Sequence, residues 1–288
     1  MLNFNNIRRS LRFALALLAA VALGGTLTPG LARQHHHQLS LTDIFGAPAL
    51  SQDCESNFLQ GQAPQVTNPK LAAQTRELCN PGYAVLHSGI TRTPLWSAEH
   101  LTQPRIRASI NLSREDSFRS DDRLPMAERA ELDDYARSGW DRGHMSPNKD
   151  APDRTSQSAT FLLSNMIPQA PKHNQHLWES IERATRQLAL NGHDVYVVTG
   201  PAFLGSQLRR TGHVAIPSHV WKAVYVADTG EAAVWWTENT NESGYDLISL
   251  DELARRTSIA PFPAASAASR VMVARLPKPR LRHSSNNF

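Results

Sequence analysis

Four residues, Asp141-Arg142-Gly143-His144, constrain this 288-residue chain more than any other stretch. Gly143 lets the backbone bend and approach a neighbour where a Cβ would block it. Such a bend can aim the imidazole of His144 into a cleft. An ordinary imidazole titrates near neutral pH, so His144 can take a proton from water. Arg142 presents a planar fork of donors suited to phosphate. The same four residues also describe a plain surface turn, in which Asp141 and Arg142 pair and His144 is incidental.

The downstream sequence bears on that choice. Leu163-Ser164-Asn165-Met166-Ile167-Pro168-Gln169 is followed by Asn174, Trp178, Glu182 and Arg186. From Asn174, the residues Leu177, Trp178, Ile181, Thr185, Leu188 and Ala189 recur at three and four, which predicts a helix closed by Asn191-Gly192. At about 100° per residue, Asn174, Trp178, Glu182 and Arg186 advance slowly around one side of it. Trp178 would pack towards a sheet, with its polar neighbours at the rim of a cleft. Taken singly, Asn174 reads as a helix N-cap. Glu182 and Arg186 read as an i,i+4 ion pair of a few tenths of a kcal/mol.

Elsewhere the pattern alternates without βαβ regularity. Strands are expected at 83–87, 95–101, 160–163, 194–199, 219–226 and 232–236. Short helices are expected near 69–78, 126–135 and 250–256, with a long polar loop from Arg105 to Arg123. That mixture predicts an α+β class with a central, largely antiparallel sheet packed with helices. The length suits one large domain or two small ones, and the composition is ordinary globular.

Residues 1–32 read as a signal peptide: Arg8, Arg9 and Arg12 precede an apolar run from Phe13 to Leu23, with small residues at Gly30-Leu31-Ala32. The run is short for a bilayer span. Export to the periplasm or the medium follows, with no stable membrane association after cleavage. These residues carry three of the 30 Lys and Arg and none of the 26 acids, so without them the excess falls from +4 to +1. Net charge therefore gives no argument for nucleic-acid binding, which would need a local basic patch. The chain has two cysteines, Cys54 and Cys79. In an exported protein they are expected to be bonded, tying an N-terminal arm (33–82) to a domain at 83–276. His35-His36-His37 and the basic tail 277–288 are read as solvated termini.

Taken together, Asp141-Arg142-Gly143-His144, Asn165, Asn174, Trp178, Glu182 and Arg186 closely resemble the motif of the DNA/RNA non-specific endonuclease family, which has the ββα-metal active site. The motif core runs from Trp140 to Arg186, and weaker likeness extends from Tyr83 to about Pro263. The resemblance implies that His144 is the general base and that Asn174 holds a hydrated divalent cation. It gives Glu182 the orienting of metal-bound water, and Arg142 and Arg186 contact with phosphate. Asn165 would support the site and Asp141 would orient its neighbours. A further phosphate-contacting arginine is expected upstream, for which Arg105, Arg107, Arg114, Arg119 and Arg123 are all candidates. Sparse oxygen ligation suits Mg2+ or Mn2+ rather than a structural zinc. The implied reaction is hydrolysis of DNA and RNA to 5′-phosphate products, by a monomer or homodimer. An inactive nucleic-acid-binding module of the same fold and a small-nucleotide phosphodiesterase are the alternatives.

Overall fold

The structure is a computed structural model that describes residues 52–242 and 244–281. The expected signal, the His35–His37 run and the last seven residues of the basic tail lie outside the described residues. Strands β1 (Thr75–Asn80), β2 (Tyr83–Ser88) and β3 (Thr93–Leu101) are followed by helix α1 (Gln103–Ser109). Strand β4 (Asp141–His144), helix α2 (Arg154–Thr160), strand β5 (Met166–Gln169) and helix α3 (Glu179–Leu190) form the middle of the chain. Strands β6 (Val195–Ala202), β7 (His219–Val226), β8 (Glu231–Glu238) and β9 (Tyr245–Ile248) precede helix α4 (Leu250–Thr257).

Seven strands form one sheet in the order β9-β8-β7-β6-β3-β2-β1, every neighbouring pair antiparallel. Both faces are buried, because side chains alternate along a strand. In β7, Val220, Val224 and Val226 join a core formed with Trp178, Ile181 and Ala184 of the α3 region. Trp221 and Ala223 face the other way, into a core with Leu250 and Leu253 of the α4 region and with Cys54, Phe58 and Leu59. Each large apolar side chain buried this way contributes about 1.5–3 kcal/mol. The Cys54–Cys79 bond, with Cα atoms 5.7 Å apart, anchors the Phe58 segment to β1. Closing a loop of this length stabilises the fold by about 3 kcal/mol.

Sequence periodicity places β2, β3, β6, β7, β8, α3 and α4 close to where they form. Four expectations differ. The helix near 69–78 stops at Ala72, and Thr75–Asn80 becomes edge strand β1. The Asn80-Pro81-Gly82 turn, with Gly82 at φ +85°, folds it back onto β2. Within the expected loop 105–123, α1 forms because Thr102 caps Arg105 N–H and Pro104 sits in the first turn. The helix expected at 126–135 is only a 3-10 turn, Leu132–Asp134. Its charges are committed elsewhere: Glu128 pairs with Arg76 at 2.8 Å, and Arg129 with Asp122 at 2.8 Å. Finally, Thr160 ends α2 and Leu162 makes a lone bridge to Arg119, so the strand expected at 160–163 comes later, as β5.

Candidate active site

Strands β4 and β5 pair antiparallel outside the main sheet, with Gly143 opposite Ile167 and His144 opposite Met166. Helix α3, entered through a π-helical turn at His173–Trp178, completes a two-strand-and-helix unit. Gly143 is required by this packing. A Cβ there would lie 1.9 Å from Gln169 Oε1 and 2.7 Å from Gln169 Cβ. Gln169 in turn contacts His173 Nδ1 at 2.7 Å, and His173 Nε2 reaches Thr237 of β8 at 2.8 Å. The strand pair is thereby locked to the helix entrance and to the sheet.

His144 follows at the end of β4, 8% exposed. Its ring lies 5.7 Å from that of Phe118 and 5.1 Å from that of Phe161. Nε2 is buried without a partner. Burial pushes its pKa down to about 3, and the nearby Arg114 and Arg142 charges add to the shift. The imidazole is therefore neutral at physiological pH. Asn165, fully buried, holds the turn after it: Oδ1 accepts Ser146 N–H at 2.9 Å, and Nδ2 donates to Ser146 O and Thr160 O.

The surface-turn reading of Asp141 and Arg142 fails. Asp141 Oδ2 accepts from Asn174 Nδ2 and Gln175 Nε2, each at 2.9 Å. Arg142 lies over Phe118, its guanidinium carbon 4.0 Å from the ring centre. Asn174 is no N-cap either, since its own N–H donates to Ala170 O inside the helical entrance. With its amide nitrogen turned to a carboxylate, its Oδ1 finds no hydrogen-bond partner among the described residues, and the residue lines a cleft. That cleft, of about 580 Å³, is lined by Arg114, Phe118, Trp140, Asp141, Arg142 and Asn174 among others.

Glu182 and Arg186 sit deeper, and they do not form the simple i,i+4 pair. Arg186 Nη1 binds Asp150 Oδ1 at 2.8 Å, both side chains buried. Burial pushes the Glu182 carboxyl up to about 7, against the pull of Arg186 and Lys222. The same sheet face carries further buried charge that the sequence reading missed. Lys222 Nζ donates to Thr199 at 2.6 Å and lies 5.6 Å from the Trp178 ring centre. Glu99 is bound by Arg105 at 3.4 Å, and burial pushes its carboxyl up. The available signal was a charged residue at an inward position of an otherwise apolar strand, as Lys222 is between Val220 and Val224.

Of the upstream arginines, only Arg114 lines the cleft. Arg105 donates to Asp150 O, Gly82 O and His100 O; Arg119 is bound to Ser117 and Ser158; Arg123 is bound to Asp121 and Asn80. Among the described residues no group of three or more His, Cys, Asp or Glu is placed to hold a metal. The oxygen that suits a hard, water-retaining cation is Asn174 Oδ1. The histidines His173, His176, His193, His213 and His219 lie in packing or surface positions.

Residues 60–264 match the family model described as DNA/RNA non-specific endonuclease. A nuclease of Nostoc sp. is 34% identical over 208 residues, covering 71% of this chain and 74% of the relative. Nuclease C1 of Cunninghamella echinulata var. echinulata is 38% identical, over 50% of this chain and 62% of its own. Mitochondrial endonuclease G of Homo sapiens is 37% identical over 51% of this chain, which spans 54% of that protein. A chain from the crystal structure of the EndoG/EndoGI complex superposes with a TM-score of 0.61 at 24% identity. The match covers 68% of this chain and 88% of that one, and shows the shared fold.

Proposed function

The chain belongs to the DNA/RNA non-specific endonuclease family, enzymes that hydrolyse phosphodiester bonds, and we propose that it cleaves DNA and RNA without base selection at the β4–β5–α3 cleft. One observation carries the reading. Arg114, Arg142 and Asn174 line one cleft, and the neutral imidazole of His144 lies behind its wall, 5.7 Å from the ring of Phe118, which lines the same cleft.

In this proposal Arg114 and Arg142 bind the phosphate and hold phosphorus before His144. His144 takes a proton from a water whose oxygen attacks phosphorus in line. The bond from phosphorus to the 3′ oxygen breaks, that oxygen takes a proton from solvent, and a 5′-phosphate remains. Asn174, turned by Asp141, offers its oxygen to Mg2+ or Mn2+, which when bound supplies stabilisation of the charge building on the phosphate. Glu182 orients water beside it, its carboxylate favoured by the charges of Arg186 and Lys222. Backbone and sugar contacts without base reading give little sequence preference, and a water nucleophile needs no 2′-hydroxyl. The Cys54–Cys79 bond supports an exported protein.

The test is incubation of purified protein with supercoiled plasmid and with a structured RNA, in magnesium and in EDTA. The expected result is nicking and then degradation of both in magnesium only, restored after EDTA by added metal, with ends that carry 5′-phosphate. Intact plasmid in magnesium, or full activity after exhaustive chelation, overturns the reading.

A further inference from the structure

A second cleft, of about 380 Å³, also has Trp140 in its lining. Trp140 is thus shared by this cleft and the catalytic one. The chain has six tryptophans; Trp96, Trp178, Trp221, Trp235 and Trp236 are buried, and Trp140 alone is part-exposed. A part-exposed indole beside a charged cleft is costly to leave in water and serves no core.

Arg209 lies 5.9 Å from the Trp140 ring centre. It is exposed, and among the described residues it forms no ion pair. Phe203, Leu208, Ile216 and Pro217 give the rest of the wall an apolar character. The volume falls in the range of about 300–1,000 Å³ typical of small-molecule sites. Flat aromatic surface, one unpaired guanidinium and continuity with a phosphate-binding cleft are the elements of a single-strand nucleic-acid groove, where bases stack and cations follow the backbone.

Resting on the nuclease reading, we propose that Trp140 and Arg209 form a base-stacking subsite that takes an unstacked nucleobase next to the scissile phosphate. Arg142 and Trp140 are near neighbours in sequence at the entry to β4, so one nucleotide can place its phosphate in the first cleft and a flanking base in the second. Every base has a π face, so stacking adds grip without sequence selection. A base inside a duplex cannot offer that face. The subsite therefore favours single strands and frayed or distorted duplex.

The test uses the His144→Ala protein in magnesium, so that the probe survives. Its probes are oligothymidine of eight nucleotides and a strand of equal length and charge whose bases are replaced by tetrahydrofuran abasic units. Affinity is read by fluorescence anisotropy, and tryptophan emission is followed in parallel. The base-bearing strand should bind about 5- to 150-fold tighter than the abasic one, with quenched emission. Adding Trp140→Ala should reduce its affinity to that of the abasic strand, Trp140→Phe should restore most of the difference, and Arg209→Ala should remove part of it. Equal affinity for the two strands, or a preference that survives Trp140→Ala, overturns the subsite while leaving the nuclease reading intact. Failure to bind either strand, together with an uncut plasmid, overturns the nuclease reading and the subsite with it.

Discussion

His144 is surrounded by Phe118, Phe161 and two arginines, and an imidazole so placed stays neutral at every pH above about 3. Neutrality makes it able to accept a proton, but the same surroundings make it a weak base in the free protein. A phosphodiester entering the cleft carries a negative charge to Arg114 and Arg142, which cancels the repulsion those two exert on an imidazolium. Basicity should therefore rise when substrate binds. His144→Ala is expected to lower plasmid cleavage about 10²–10⁴-fold and to leave binding of a short oligonucleotide near wild type; cleavage within a few fold of wild type would remove His144 from the role of base. Asn174 makes a different demand. Its nitrogen is held by Asp141 at 2.9 Å, which leaves the oxygen as the atom open to a cation. Asn174→Ala should cut activity severely, and raising magnesium should restore only part of it, as read from the metal dependence of the initial rate. A variant with an unchanged metal dependence would place the cation elsewhere.

At the scale of elements, the β4–β5 pair and α3 are held by buried polar links that no periodicity reveals. The apolar rhythm of α3, and of β6, β7 and β8, was legible because those elements face cores on fixed sides. The motif residues were legible as a set from their spacing, and the structure brings Asp141, Arg142 and Asn174 to one cleft. What stayed hidden was tertiary pairing. Asp150 lies in a short 3-10 turn with no pattern of its own, yet it is the partner of Arg186. Strand β5 gives little signal for a similar reason: Pro168 interrupts its pattern, although β5 pairs only with β4 and needs no donor from Pro168 on a further strand. Breaking the Asp150–Arg186 pair should expose how much the elements depend on it. Asp150→Ala leaves a buried guanidinium unpaired, at a cost of about 3–5 kcal/mol, or roughly 10 °C in Tm for a domain of this size. The double variant Asp150→Leu with Arg186→Met removes both charges and should recover much of that loss in a thermal melt. No recovery would mean that the pair acts through geometry rather than through charge compensation.

Across the whole molecule, histidines held neutral are combined with carboxyls held protonated, and the two kinds of group tilt stability in opposite directions. Burial pushes His144 down to about 3 and His173 down to about 4, each from an ordinary 6.5. As pH falls below 6.5 the unfolded chain takes up protons that the fold excludes, so these two contribute a loss of stability on acidification that runs down to about pH 3–4. Burial pushes Glu182 up to about 7 from an ordinary 4.5, and pushes Glu99 up as well. As pH rises above 4.5 the unfolded chain releases protons that the fold retains, so these two lower stability until the folded carboxyl ionises near pH 7 or above. Between about pH 4.5 and 6.5 the two slopes oppose each other. Below that window the histidine slope acts alone, and above it the carboxyl slope acts alone. Metal-free protein should therefore show a broad maximum of Tm between pH 4.5 and 6.5 and a fall on both sides. His173→Gln should flatten the acid side and Glu99→Gln the alkaline side, each leaving the opposite limb in place. Each pH unit of separation between folded and unfolded values is worth about 1.4 kcal/mol, which a melt of a domain this size resolves as a few degrees. A Tm that climbs steadily from pH 5 to 8 would contradict protonated carboxyls beneath the site, and would mean that Lys222 and Arg105 hold Glu99 and Glu182 ionised in the folded protein.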